Sequence, residues 1–277
     1  MKESIKIRTL TSLQEMREVA ELEEHVWGPP ATPVHQTHTA VKNGGLVIGA
    51  YDGEKLVGFQ YSFPGFKEGQ VYLCSHMLGI HSDYQKSGIG EKLKQKQREL
   101  AIEMGYSFIT WTFDPLLGVN AYLNLHKLGG IAGSYSENHY GMMEDAQNAG
   151  LPTDRFKVEW WIKSKYVSEH KPKHDAIDSK KILLLTEINQ AGYPYVLGKN
   201  QEVTFDPTVD GWLVPIPGDF QSIKNNDFEL ALDWRLQTRE VFQLLVAHGF
   251  VGDNLIRDSE KQVSYYRFTL RDRLDLK

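Results

Sequence analysis

The chain has 277 residues, 41% of them hydrophobic and 24% charged, enough for one large core or two smaller ones. A formal charge of −5 supplies no global basic field, so neither nucleic acid nor an anionic membrane is expected as a partner. A single cysteine, Cys74, excludes internal disulfides and a multi-cysteine metal site; its apolar strand points to a buried structural thiol rather than a nucleophile.

Elements follow from periodicity and turn residues. Residues 5–9 alternate as a strand, and residues 12–26 carry a helical pattern that ends before Gly28-Pro29-Pro30. Residues 31–43 give no clear pattern. Residues 45–51 and 55–63 form a hairpin around Asp52-Gly53. A strand over 71–80, a helix over 90–104 closed by Gly105, and a strand over 108–113 ended by Asp114-Pro115 come next. A short helix over 120–128 stops at Gly129-Gly130, and 158–162 reads as another strand. A polar break over 164–181 leads to short strands at 182–185 and 212–216, a long helix over 228–248, and strands at 250–257 and 263–270. No apolar run approaches the ~20 residues of a membrane span. The opening Met1-Lys2-Glu3-Ser4-Ile5-Lys6 lacks the apolar core of a leader, so a cytoplasmic location is expected.

The most informative stretch is Gln85-Lys86-Ser87-Gly88-Ile89-Gly90, between a strand and a helix. Unpaired amides at a helix N-terminus, with the aligned peptide dipoles, favour a negative guest. Gly88 and Gly90 let backbone approach phosphate oxygens, and Lys86 adds positive charge beside them. A pyrophosphate cradle is the reading. A dinucleotide fingerprint fails because Leu93 stands where its third glycine belongs, and the chain has no Gly-Lys-Ser/Thr triplet for a Walker loop. Lys92, Lys94, Lys96 and Arg98 on the following helix read as a solvated face, with steering of an anionic cofactor as the alternative.

Gln-x-x-Gly-x-Gly after a strand resembles the acyl-CoA signature of the GNAT acyltransferase superfamily. The element order over residues 4–165 resembles that family's succession, and Asn120-Ala121 with Lys127-Leu128-Gly129 resembles its second block. The resemblance implies an α/β (α+β) GNAT fold: a mixed central sheet whose parallel strands, here ending at Ile80 and Phe113, splay apart. It implies an acyl-CoA-binding domain over 1–165, followed by a C-terminal α/β unit over 166–277. It also implies acetyl-CoA or another acyl-CoA as cosubstrate and no metal. The expected cofactor contacts are Leu78, Gly79 and Ile80 on the strand, Gln85, Lys86, Ser87, Gly88, Ile89 and Gly90 in the loop, and Asn120 and Lys127. A plain N-cap is the competing explanation for Asn120.

His76 is the candidate base, because an imidazole titrates near neutrality and strand alternation places it on one face with Leu78 and Ile80. Residues 75–81 also resemble the matching strand of serotonin N-acetyltransferases, which implies the same role. A hydrogen-bonded core histidine is the other reading. Many family members carry a tyrosine acid where this chain has Leu125; Tyr122, one turn earlier, is the substitute, against ordinary packing. Asp114 either holds an ammonium group or initiates its turn.

Residues 135–141, 150–156 and Glu159-Trp160 resemble a long-form GNAT group of predicted acyltransferases, some of them associated with N-acylation, including succinylation, of amino acids. Arg155 could then pair with a carboxylate, or else form an internal ion pair with Asp154 or Glu159. Arg235 and Arg239 share a helix face and read as solvent-facing, with an anion clamp as the alternative. His35, His38, His170 and His174 offer no recognisable metal set, since Pro172 interrupts the last pair.

The expected function is acyl-CoA-dependent N-acylation of a small-molecule amine, with an amino acid preferred and acetyl, succinyl or another acyl group transferred. The alternatives are acylation of a protein lysine or N-terminus, and a non-catalytic CoA-binding regulator. The second unit would cover the acceptor side or make a homodimer contact.

Overall fold

The computed structural model describes residues 5–141, 150–172, 175–258 and 260–277. The chain forms two compact units, one of Met1–Trp111 with Trp161–Lys163, the other of Thr112–Trp160 with Ser164–Lys277. Both combine helices with a mainly antiparallel sheet, so the fold class is mixed α/β as expected.

The first unit runs β1 (Lys6–Thr9), α1 (Leu13–Trp27), α2 (Val34–Lys42), β2 (Leu46–Asp52), β3 (Lys55–Lys67), β4 (Gln70–Ile80), α3 (Ile89–Glu103) and the start of β5 (Ile109–Phe113). Its strands lie in the order β1-β2-β3-β4-β5, antiparallel except for β4 with β5. Ser12 and Glu15 close a capping box at the start of α1. The stripe Met16, Val19 and Leu22 packs onto Val47, Phe59 and Tyr61 to make the core on one sheet face. α2 fills the stretch whose sequence shows no clear periodicity; its first turn is uncapped and only Thr37 of its nine residues is buried.

The second unit runs from the end of β5 through α4 (Gly118–Ala121), a π-helical turn (Tyr122–Lys127), β6 (Ile131–Ser136), β7 (Arg155–Trp160), α5 (Lys165–Ser168), β8 (Leu184–Ile188), β9 (Pro194–Lys199), β10 (Trp212–Pro217), α6 (Phe220–Asn226), α7 (Phe228–Ala247), β11 (Phe250–Asp258) and β12 (Val263–Leu270). The antiparallel sheet is ordered β7-β6-β11-β12-β10, with β8 and β9 as a separate hairpin. Phe156, Phe242, Tyr266 and Phe268 interlock in its core. Four elements of this unit are absent from the sequence reading, one of them the single turn α5 within the polar break. β6 is built on small residues (Ile131-Ala132-Gly133-Ser134), β9 contains Pro194 and Gly198, and α6 is a two-turn helix. Among the described residues no helix is long and apolar enough to cross a membrane.

Candidate active site

In an antiparallel ladder, residues directly opposite share a face. Gln60 stands opposite Leu78 and Tyr61 opposite Met77, yet Ser62 stands opposite Ser75. His76 is the extra residue, a β-bulge in β4. Ser75, Leu78 and Ile80 therefore lie on the face of Gln60 and Ser62. The His76 ring packs at 6.0 Å from Tyr61 and 5.5 Å from Phe63, on the other face. Strict alternation placed His76 with Leu78 and Ile80; the bulge overturns that placement. His76 is exposed overall, and the partial desolvation of its ring beside Tyr61 and Phe63 lowers the imidazole pKa from its ordinary 6.5, with the charge of Glu23 working against that lowering. The parallel ladder between β4 and β5 comprises Leu73–Ile109 and Cys74–Thr110, so it ends where the bulge begins. A bulge bends its strand, which is consistent with the pairing stopping at Cys74. Gly79 is dictated by the same packing, because a Cβ there would stand 2.5 Å from the Phe59 ring.

The loop after β4 turns through a short 3₁₀ segment, Ser82–Tyr84, into α3. Lys86 (φ 59°) and Gly88 (φ 82°) are both left-handed and flank Ser87, whose hydroxyl donates to the Tyr84 carbonyl. Gly88 caps α3 without any side-chain cap, and the first intrahelical bond is Lys92 N to Gly88 O at 3.2 Å. The amides of the first turn therefore face outward beside Lys86, Ser87 and Gly88, all exposed. A Cβ on Gly88 would meet nothing within 4 Å, so the loop is open on that side of Gly88. This is the geometry a diphosphate requires, and the residues fit coenzyme A.

The basic residues of α3 divide rather than forming one solvated face. Lys92 is exposed and Lys96 pairs with Glu99 at 2.9 Å, but Arg98 donates twice to the Ile162 carbonyl and Lys94 is buried. Lys94 Nζ donates to Ser75 Oγ at 2.7 Å and lies 3.4 Å from the centre of the Trp111 ring. Ser75 also joins Gln60, Ser62 and Gln97 in a buried polar network directly before the bulge.

Asn120 is the third residue of α4, exposed, whereas the cap position is Leu117; the N-cap reading is overturned. Tyr122 stacks on His126 at 4.3 Å with Arg257 over its ring at 3.7 Å. Leu125, in the place of the usual tyrosine, is fully buried, and Lys127 is half-buried at the end of the π turn.

Over residues 12–129 the sequence matches the family model described as the acetyltransferase (GNAT) family. That segment is similar to GNAT acetyltransferase domains. No curated protein matches the chain. Solved structures similar to it include yncA, a putative acetyltransferase from Salmonella typhimurium with its cofactor acetyl-CoA, 14% identical with a TM-score of 0.47, covering 64% of this chain and 99% of that one. The ribosomal-protein-S18-alanine N-acetyltransferase from Escherichia coli is 13% identical with a TM-score of 0.46, covering 57% of this chain and 94% of that one. An aminoglycoside acetyltransferase from an uncultured soil metagenomic sample is 18% identical with a TM-score of 0.37, covering 42% of this chain and 82% of that one.

Beyond the GNAT-matched segment lies most of an ion-pair cluster in the second unit. Asp114 initiates its turn by accepting from Leu116 N at 2.9 Å, and its second oxygen accepts from Arg235 at 2.6 Å. Arg155 Nη1 lies 3.7 Å from the same carboxylate and donates to the Asp154 carbonyl at 2.9 Å. Arg239 grips the Asp154 carboxylate with two bonds of 2.8 and 2.9 Å, and Tyr135 and the Asn138 amide donate to it as well. Arg235 is 1% exposed, so the solvent-facing reading of Arg235 and Arg239 is corrected: both point inward, onto aspartates. His170 holds the His126 carbonyl at 2.8 Å, and His174 lies outside the described residues.

Sequence reasoning missed Glu23, a buried carboxylate within the segment that matches the GNAT family. The signal was present: Met16, Val19 and Glu23 follow the spacing of a single helix stripe.

Proposed function

We propose that this protein is an acyl-CoA-dependent N-acyltransferase whose acceptor is a small-molecule amine, with an amino acid preferred. The carrying observation is the exposed, uncapped N-terminus of α3 behind left-handed Lys86 and Gly88, inside the segment that matches the GNAT family. Gln85, Lys86, Ser87, Gly88, Ile89 and Gly90 bind the diphosphate in this reading, and the β4 amides of Leu78, Gly79 and Ile80 hold the pantetheine arm and polarise the thioester carbonyl. An acyl-CoA, when bound, supplies the activated acyl group. His76 takes a proton from the attacking ammonium, directly or through one water, for which its lowered pKa keeps the ring neutral at physiological pH. The resemblance adds Asn120 and Lys127 as cofactor contacts and Arg155 as an acceptor contact, while position alone suggests Tyr122, one turn before Leu125, as acid and Asp114, at the end of its strand, as a second acceptor contact.

The test is a matrix of acyl-CoA donors against amino acids, simple amines and lysine peptides, read by free-thiol release. Release with free amino acids but not with peptides supports the proposal, and the reverse pattern moves the acceptor to proteins. The buried Leu125 favours one second reading, a domain that binds CoA without turnover. Tight CoA binding with no thiol release anywhere in the matrix would establish that instead.

A further inference from the structure

Glu23 is 7% exposed on α1, among apolar neighbours. Its Oε1 accepts from the Thr32 amide at 3.0 Å and the Thr32 hydroxyl at 2.9 Å. Its Oε2 is buried without a hydrogen-bond partner, and among the described residues no basic side chain forms an ion pair with it. An unsatisfied buried carboxylate oxygen is costly, and its retention needs a reason.

The surroundings supply one. The Thr32 hydroxyl that anchors Oε1 lies 4.0 Å from the sulfur of Met77, the residue next to His76. Met77 stands opposite Tyr61, whose ring is edge-on to His76, and Phe63 is the next ring along. The Glu23 charge reaches both titrating groups of this cluster. Burial chiefly raises the Tyr61 hydroxyl, with Cys74 and then Glu23 adding to it, while Glu23 partly offsets the desolvation of His76. A fixed carboxylate oxygen lacking a donor, whose charge is felt by both Tyr61 and His76, has the chemistry to recognise an alkylammonium ion.

We propose that Glu23 Oε2 receives the ammonium group of the acceptor, with Tyr61 and His76 within range of its charge, so that the GNAT-matched segment selects a primary alkylammonium over neutral or anionic molecules. This rests on the reading of the chain as an N-acyltransferase. Glu23 binds the cation in this scheme, and proton transfer stays with His76.

The experiment uses the full chain without acyl-CoA, titrated with n-butylammonium chloride, 1-butanol or sodium butyrate while NMR follows the His76 and Tyr61 ring signals. Saturable shifts with n-butylammonium alone are expected. Glu23→Gln keeps the Oε1 contacts to Thr32 and should weaken n-butylammonium binding about tenfold or more. It should also lower the His76 pKa, because the offsetting charge is gone. Should Glu23→Gln fail to fold, Glu23→Asp, which withdraws the carboxylate by one methylene, is expected to weaken binding in the same direction. Equal responses to n-butylammonium and 1-butanol, no response to n-butylammonium, or unweakened binding by the variant would each overturn the proposal. Selective ammonium binding in a protein that releases no thiol in the donor–acceptor matrix would sink acyl transfer and leave this site standing.

Discussion

The imidazole of His76 lies 5.5 Å from the ring of Phe63, on the sheet face opposite Leu78. One surplus residue in β4 produces this. It carries His76 over to the side of α1 and Glu23, while Leu78 and Ile80 stay on the side of α3. In the proposed reading, amine deprotonation by His76 and thioester polarisation by the strand amides are assigned to neighbouring residues of this single strand.

The pH profile tests the base directly. Partial desolvation favours neutral His76, so its folded pKa lies below 6.5 and the acidic limb of kcat/KM should fall below that value. His76→Gln should lower kcat/KM by about a hundredfold or more and remove that limb. The measurement is thiol release from pH 5 to 9. An unchanged profile in the variant would exclude His76 from proton transfer.

Gly88→Val addresses the loop. A Cβ there meets nothing within 4 Å, so the penalty is not a clash; it is φ of +82°, which a β-branched residue adopts only at a cost of about 1–3 kcal/mol. The loop should leave its left-handed turn, and CoA affinity measured by calorimetry should drop about tenfold or more. Gly88→Ala should fall between the two. Undiminished affinity in the valine variant would mean that the diphosphate binds elsewhere.

Local chemistry was legible in the sequence and long-range pairing was not. The Asp52-Gly53 turn and the Gly88 loop each depend on residues a few positions apart, and each stands where its turn residues put it. The bulge at His76 depends on β3 pairing with β4 over two different offsets, which no strand reveals alone. Arg235 and Arg239 looked solvent-facing because their partners are far along the chain, Asp114 by 121 residues and Asp154 by 85. Lys94 looked like part of a basic face because its partners, Ser75 and Trp111, belong to strands on either side of α3 in sequence.

The Arg239–Asp154 pair gives a stability prediction. Asp154 is fully buried, and among the described residues Arg239→Met leaves it the Tyr135 and Asn138 donors. An uncompensated buried charge costs about 3–5 kcal/mol, so a loss near that size is expected in urea unfolding. The control is Lys199→Met, which removes a pair with Glu240 whose two side chains are 63% and 64% exposed. That change should cost under about 1 kcal/mol. Adding Asp154→Asn to Arg239→Met should recover part of the loss. Equal effects of the two single variants would show that the Asp154 network carries no special weight.

Lys94→Met should raise stability. The buried Lys94 ammonium has the Ser75 hydroxyl and the Trp111 ring but no carboxylate among its described partners, and burial holds its pKa well below 10.5. The sign follows from proton binding. Above the unfolded pKa both states are neutral and the site costs nothing. As pH falls through that value the unfolded chain takes up the proton first, so the folded state loses stability until its own lysine titrates. Methionine fills much the same volume and leaves Ser75 bonded to Gln60 and Gln97. The variant should match wild type near pH 11 and exceed it by on the order of 1–3 kcal/mol near pH 7, as read by chemical unfolding at both values. A variant that is less stable at pH 7 would show instead that the ammonium is stabilised by the Trp111 face and Ser75 beyond the cost of its burial.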